Sequence, residues 1–411
     1  MINPRNLRAF QAVARAGSVV RSAQDIHRVQ SAITRSIQEL EAGLQVRLFE
    51  RKPHGMLLTD FGHVLLARTE RVFDELAQAR AAFAASCGGQ RWNANAPIFA
   101  LGIGRQRLLV FVELMKQCHM GAVAESFGIS QPAVSQALRE VERGLGLPLV
   151  SRLPKGIAPN AQGELLALHL RRALAEMWKA EEEIVSRVQG ITGHVVVGTL
   201  SLGRSHLLPQ AIISVTREHP KITVSTIEGS FEHLATLLRA ADIDFIIGGL
   251  RPPEHMQGLM TVPVEQAGIA LIARRGHPYA KAMSRQPWRV LQSARWVLPS
   301  KDTWTRSSLE AVLAHQGMAA PEVVVETADV TITRALLLSS DLVTAASPHL
   351  FPHEMDRGEL VQLPLALPSE SRSIGIVQRL GGSPSVAARL LMNAIGEPRP
   401  ALKADRRSAP R

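Results

Sequence analysis

Slid onto itself by 101 positions, this chain matches its own text. Leu7, Phe10, Ala23, Gln30 and Ala32 fall on Leu108, Phe111, Ala124, Gln131 and Ala133, and the register holds through Glu39, Glu41, Gly43, Leu44, Arg51, Pro53, Gly55, Gly62, Leu65, Arg71 and Glu75. With Leu48 on Leu149 that makes 17 identities over the 69 paired positions of 7–75 and 108–176, where unrelated segments would give roughly four or five. Whatever unit the first stretch folds into, the second is expected to fold into it again.

The 411 residues exceed one compact core and suggest about three domains. With 46% apolar and 20% charged residues the composition is that of a folded soluble protein. Aromatics make up 4% and Tyr279 is the single tyrosine, too few for the stacking platforms that hold single strands or RNA loops. The net charge is +11. Residues 1–190 carry 24 Lys and Arg against 17 Asp and Glu, and Lys403, Arg406, Arg407 and Arg411 make the extreme C-terminus basic. A basic N-terminal half suits phosphate contact, although a plain solvated surface can carry a similar excess. Cys87 and Cys118 have no metal-ligand spacing, so neither a disulfide framework nor a zinc site is expected, and no cofactor is implied. No apolar run reaches membrane-spanning length and the first ten residues lack a signal-peptide core, which predicts a cytoplasmic protein with no membrane partner.

Helical spacing dominates residues 5–86. Leu7, Phe10, Val13 and Ala14 mark a first helix, Gly17 and Ser18 a turn with a capping hydroxyl, Ala23, Ile26 and Val29 a second helix, and Ala32, Ile33, Ile37 and Leu40 a third. Gly43, Pro53 and Gly55 punctuate a short β-wing ending at Leu57, Leu58 and Thr59. A longer helix follows with Leu65, Val72, Leu76, Ala79 and Phe83 at near-heptad steps. Its counterpart carries Leu166, Leu170, Leu174, Met177, Ile184 and Val188. Such stripes predict a seam between subunits, and a helix buried within the chain would look the same. Residues 87–104, rich in Gly and Asn, form a connector.

The sharpest local signal is the stretch from Ser130 to Glu142. Ser130 can cap a helix and Pro132 fits its first turn. Ala133, Val134, Leu138 and Val141 then face inward, which leaves Gln131, Ser135, Gln136 and Arg139 on the open side. The matching positions in the first copy are Gln30, Thr34, Arg35 and Gln38, with Ser31 opposite Pro132. Gln can bond adenine N6 and N7 together, Ser or Thr can adapt to either partner, and Arg takes guanine or phosphate. An isolated polar helix face carries little weight, but a repeated one followed by a wing predicts a winged helix-turn-helix reader of duplex DNA.

These residues resemble the LysR-type transcriptional regulators. The first copy matches their DNA-binding pattern at Leu7, Phe10, Ala16, Gly17, Ser18, Ala23, Gln30, Ser31, Ala32, Ile37, Leu40, Glu41, Leu48, Phe49, Arg51, Gly55, Leu58, Thr59 and Gly62. The second copy keeps the recognition helix but has Gln117, Cys118 and His119 at the turn, Leu149 and Val150 after it, and Pro159 and Asn160 in the wing. With two such modules the chain resembles the less common tandem subgroup of that family, which includes galactose-binding-protein regulators. The resemblance implies base readout by the helix positions and backbone contact by Arg51 and Arg152. It also implies a C-terminal sensor of two α/β lobes, similar to periplasmic binding proteins, with a small-molecule effector in the cleft. The expected fold is therefore multidomain, α and α/β: winged helix-turn-helix modules at 1–62 and 105–163, linker helices at 63–86 and 164–190, a connector at 87–104, an effector-binding domain at 191–398 and a basic disordered tail at 399–411. The expected assembly is a homodimer or homotetramer able to contact RNA polymerase. The altered second wing leaves open that one copy has become a protein contact.

The residues of the C-terminal half permit this reading independently. Short apolar strands at 194–198, 222–227, 245–247, 269–272, 296–298, 323–325 and 374–377 alternate with helical stretches at 207–219, 231–241 and 305–316, which predicts parallel sheets with crossover helices. Ser201, Ser205 and Ser230 precede helices in the first lobe; Ser300, Thr303 and Arg306 follow a strand in the second, and Arg251 follows Gly248 and Gly249. Helix N-termini favour anions and hydroxylated ligands, so Ser201, Ser230, Arg251, Ser300, Thr303 and Arg306 are the candidate effector contacts, for a carboxylate, a sugar or an aromatic acid. Tyr279 and Trp304 are candidates for an apolar wall.

Two other classes compete. An α/β enzyme would need a nucleophile elbow, a phosphate loop or a metal motif, and none is written here; His349 and His353 flank Pro352, which breaks the helix needed to offer both to one metal. An architectural DNA-binding protein with an inert C-terminal half would share the readers but lack a ligand response.

Overall fold

The computed structural model describes residues 1–396 apart from 53–54, 155, 284–286 and 368–370. Pro53 of the expected wing and the expected tail at 399–411 lie outside the described residues, as do the side chains of Arg51, Arg152, Pro287 and Ala366. The chain divides into two compact units: Met1–Gly193 with Arg239–Asp242 and Ser383–Ala387, and His194–Leu238 with Ile243–Gly382 and Ala388–Arg411.

In the first unit one succession of elements occurs twice. Helices α1 (Pro4–Ala16), α2 (Val19–Asp25) and α3 (Gln30–Leu44), the hairpin β1 (Phe49–Lys52) and β2 (Gly55–Leu58), and the long helix α4 (Asp60–Ser86) are followed by α5 (Arg105–Gln117), α6 (Met120–Phe127), α7 (Gln131–Leu145), β3 (Val150–Leu153), β4 (Gly156–Pro159) and α8 (Ala161–Gln189). Coincident positions do coincident work. Glu41 and Glu142 each accept the N–H entering the wing, from Leu48 and Leu149, at 2.8 Å. Gly62 and Gly163 sit so close to the backbone that a Cβ would stand 2.2 Å and 2.1 Å from the carbonyl oxygens of Leu48 and Leu149.

Where the copies differ, the roles survive. Gly17 takes the left-handed turn at φ 65 and Cys118 takes it at φ 57. Ser18 Oγ accepts the Arg21 N–H at the start of α2, and His119 Nδ1 accepts the Ala122 N–H, 3.0 Å away, at the start of α6. Thr59 and Asn160 cap α4 and α8 through Gly62 and Gly163 at 3.1 Å and 2.9 Å. The turn carbonyls of Gly17 and Cys118 accept from the wing N–H groups of Met56 and Ile157.

Three local expectations are corrected. Helix α2 ends at Asp25, so Ile26 and Val29 lie beyond it and Val29 is exposed. Ser130 stands at the N-cap of α7 without a side-chain hydrogen bond. Ala133 is only half-buried, and Ala137 joins Val134, Leu138 and Val141 in the core.

The modules expected as separate domains share a single hydrophobic core. The connector enters it: Ala96, Ile98, Leu101 and Ile103 are buried, and Trp92 and Phe99 pack with Phe83 at centroid distances of 5.1 Å and 6.3 Å. Helices α4 and α8 lie side by side and antiparallel, since Ser86 meets Gln162, Glu75 meets His169, and Arg68 meets Glu176. The stripes expected to meet across a subunit seam are buried within one chain, with Leu65, Val72, Leu76, Ala79 and Phe83 on α4 and Leu166, Leu170, Leu174, Met177 and Ile184 on α8 all covered; Val188 stays exposed. Antiparallel pairing places the chain's own second stripe against the first, which the periodicity of either stripe could not reveal.

The second unit holds β5 (Gly193–Thr199), whose first residue belongs to the other unit, α9 (Ser201–Arg204), α10 (Leu207–Glu218), β6 (Ile222–Glu228), α11 (Phe231–Arg239), β7 (Phe245–Gly249), β8 (Leu259–Ala267) and β9 (Ala270–Arg274). It continues through α12 (Tyr279–Met283), α13 (Pro287–Gln292), β10 (Arg295–Leu298), α14 (Trp304–His315), β11 (Glu322–Glu326), α15 (Val330–Ser339), β12 (Thr344–Ala346), α16 (Pro352–Asp356), β13 (Leu360–Ala366), β14 (Arg372–Arg379) and α17 (Val386–Gly396), with Arg239 of α11 and Val386 and Ala387 of α17 also belonging to the other unit. One sheet runs β6-β5-β7-β14-β8; the other strands form β12-β9-β13 and β10-β11, joined by a bridge from Trp296 to Val343. The expected parallel pairing holds between β5 and β7 and between β10 and β11, but not throughout: β14 is antiparallel to β7 and β8, and β9 is antiparallel to β12 and β13.

Candidate nucleic-acid interface and ligand site

Apolar residues at helical spacing fix which faces of α3 and α7 remain open. Ile33, Ser36, Ile37 and Leu40 are buried on α3, and Gln30, Ser31, Arg35 and Gln38 are exposed with Thr34 half-buried. Helix α7 buries Val134, Ala137, Leu138 and Val141 and exposes Gln131, Pro132, Gln136 and Arg139 with Ser135 half-buried. Each predicted reading position thus sits on the outer face of its helix, with a two-stranded wing following. Arg35 pairs with Glu39 at 2.9 Å, and Asn6 and Arg35 hydrogen bonds hold the Glu39 carboxyl below its usual range. Arg35 is so exposed that this bond is easily exchanged for a phosphate or a base edge. Arg51 and Arg152 occupy β1 and β3.

In the second unit Ser201, Ser230 and Arg251 follow the C-terminal ends of β5, β6 and β7, three neighbouring strands, where open α/β sheets bind ligands. Ser230 Oγ accepts the His233 N–H and caps α11. The guanidinium of Arg251 lies 5.5 Å from the ring centre of Phe231. Thr303 caps α14 through the Arg306 N–H, and both its backbone N–H and its hydroxyl donate to the Ser300 carbonyl. Arg306 is buried against Glu310. Ser300, Thr303 and Arg306 therefore all serve the start of α14 locally.

The residue that sequence reasoning missed is Arg372, at the first position of β14. Its guanidinium stacks over Trp304 at 5.5 Å and donates to the Leu250 and Gly249 carbonyls. Burial, then the nearby charge of Arg251, lowers its pKa to about 10. Two arginines thus face one region beside two aromatic rings. The only signal in the sequence was an arginine leading an apolar strand. Tyr279 instead donates to the Ser293 carbonyl and packs on His277. A separate set, Arg204, Ser205, Glu228, Asp329, Thr331 and Arg334, lines a cavity of about 480 Å³. Arg204 is paired there with Glu228, and Arg334 with Glu354, so its cations are already neutralised. Backbone N–H groups of Ile332 and Thr331 hold Asp329 below its ordinary value.

Among the described residues no cluster of His, Cys, Asp or Glu could hold a metal, and no helix is long and apolar enough to cross a membrane.

Comparison with known proteins agrees with this geometry. The family described as bacterial regulatory helix-turn-helix protein, lysR family, matches at 4–63 and at 106–164, and the LysR substrate binding domain matches 189–398. The transcriptional regulator GalR of Pseudomonas putida is 41% identical over 393 residues, 96% of each chain. GbpR of Azospirillum brasilense is 30% identical over 58% of this chain and 70% of its own. Among solved structures, a full-length OxyR point variant of Pseudomonas aeruginosa (TM-score 0.53, 20% identity) and ArgP of Mycobacterium tuberculosis (TM-score 0.53, 15% identity) each cover 70% of this chain, and 93% and 96% of their own.

Proposed function

The chain belongs to the LysR family of transcriptional regulators, and on that premise we propose that it reads duplex DNA through both α3 and α7 and answers to an effector that is an anion carrying a flat ring. It is a regulator and not an enzyme, with a substrate-binding domain that senses effector. LysR regulators bind DNA and small molecules and form oligomers, and further association of this chain, with RNA polymerase contact, belongs to the same reading.

The observation that carries the DNA-reading proposal is the pair of exposed polar faces, each followed by a wing. In the second copy Cys118, His119 and Asn160 replace the usual turn and cap residues yet keep their bonds. That favours a working reader over a module turned to protein contact, and membership of the tandem subgroup over a lone reader. Phosphate contacts would set the salt dependence and the helix faces the sequence preference.

The effector proposal rests on Arg251 and Arg372 beside Phe231 and Trp304. Two partly desolvated cations suit a carboxylate, and the half-buried Trp304 ring suits a planar body, so an aromatic acid fits better than a neutral sugar. Arg372 comes from one lobe and Trp304 from the other, so a ligand there has different contacts in different lobe arrangements and can shift their populations. Thermal melts with benzoate and with glucose as probes test the class, and binding to genomic fragments against scrambled competitor at moderate salt tests the reading. A shift with benzoate alone and a reproducible set of preferred fragments are expected; a shift with glucose alone, or no preferred fragment, would overturn the respective claim.

A further inference from the structure

A sequence repeat does not by itself say how its two copies are arranged, but the contacts between α4 and α8 do. Arg68 bonds Glu176 at 2.8 Å, and His169 bonds Glu75 at 3.0 Å. Adding the 101-residue offset to Arg68 gives His169, and adding it to Glu75 gives Glu176. The two bonds are therefore one contact made twice with the copies exchanged, the signature of an isologous, two-fold interface. A second pair, one residue out of the exact offset, repeats the exchange elsewhere: Arg5 donates to the Gly102 carbonyl at 3.0 Å, and Arg105 donates to the Ile2 carbonyl at 3.1 Å. The start of each copy thus grips the start of the other.

Two antiparallel helices can be exchanged only by an axis normal to the plane that contains them. Rotation about that axis leaves height along it unchanged, so α3 and α7 stand at one level, turned by half a revolution. Readers so related that meet one duplex contact half-sites in inverted orientation. In an ordinary dimer identical helices demand identical arms. Here the helices differ: Arg35 and Gln38 on α3 are matched by Gln136 and Arg139 on α7, so the guanine-preferring and adenine-preferring groups change places one helical turn apart.

We propose that a single chain grips one duplex at two inverted but unlike half-sites, α3 on one arm and α7 on the other, so that the intramolecular pairing of α4 and α8 does what a pairing of subunits would otherwise do. This rests on the proposed reading of DNA by both helices.

The test is selection of binding sites from a randomised duplex library with the full-length protein, repeated with Q30A/Q38A, with Q131A/Q136A and with R35Q/Q38R. All changed residues are exposed, and unchanged melting of each variant checks folding. The wild type is expected to enrich an inverted pair of dissimilar arms. Each alanine variant should lose preference, about tenfold or more per lost bidentate contact, in one arm only and in opposite arms. R35Q/Q38R should make the arms more alike. Enrichment of two identical arms, of a direct repeat, or of a site in which one alanine pair weakens both arms equally would overturn the inference while leaving DNA reading intact. Enrichment of no sequence would sink the DNA reading and this inference with it.

Discussion

Glu176 is the most informative residue to remove from the paired helices. Its carboxylate is 1% exposed and meets Arg68, itself 6% exposed, at 2.8 Å. Orphaning a buried charge costs about 3–5 kcal/mol, whereas replacing both partners with apolar side chains is often close to neutral. Arg68 also has Glu183 at 3.3 Å, a more exposed partner. Residual pairing with Glu183 should bring the cost of E176A down to about 2–3 kcal/mol. For a unit of roughly this size that corresponds to a fall in Tm of about 4–12 °C. The double variant R68M/E176L removes both charges and should lose less than half as much. Melting by circular dichroism and urea denaturation of the full-length protein give the two numbers. A loss below about 1 kcal/mol for E176A, or a double variant less stable than the single, would refute the claim that this pair is a buried element of the seam.

Other outcomes follow from the same geometry. A Cβ at Gly156 would stand 2.9 Å from the Cys118 carbonyl oxygen at a φ of 144, so G156A should cost about 1–3 kcal/mol and loosen the second wing, read as weaker DNA binding. H119A should lose the cap of α6 and about 1 kcal/mol, and H119S should keep it, as Ser18 does in the first copy. F83A removes the ring that Trp92 and Phe99 pack against and should cost about 3–5 kcal/mol in the melt. R372M should abolish the benzoate-induced melting shift while changing basal stability by no more than about 1 kcal/mol, because removing a desolvated cation offsets the loss of its bonds to Gly249 and Leu250. Since burial lowers the Arg372 pKa to about 10, the group is charged from pH 7 to 9. The shift should be constant over that range and decline as pH rises through about 10, where the cation is lost.

The recognition helices were legible because a buried stripe and a capping pattern are local, and the repeat doubled the signal. The pairing of α4 with α8 was not, since a stripe such as Leu65, Val72 and Leu76 states that a partner exists and not whose it is. Strands β8, β12 and β13 escaped for separate reasons. Pro263 interrupts β8, which pairs with a strand more than a hundred residues later; β12 is three residues long; and the register of β13 shifts between Gln362 and Ala366, around Pro364. The antiparallel return of β14 likewise turned an expected parallel sheet into a mixed one. Of the predicted effector residues, Ser201, Ser230 and Arg251 follow the C-terminal ends of neighbouring strands of one sheet, but Ser300, Thr303 and Arg306 turned out to brace α14. A serine or threonine before a helix caps far more often than it binds, and Arg372 was invisible because its neighbours come from three distant segments.

The most direct test of the central claim is a hydroxyl-radical footprint of the full-length protein on a selected operator, read beside that of Q131A/Q136A. Two protected patches on one face of the duplex, spaced by about one helical turn or a multiple of it, with one patch lost in the variant, is the predicted result. A single patch indifferent to changes in α7 would contradict it.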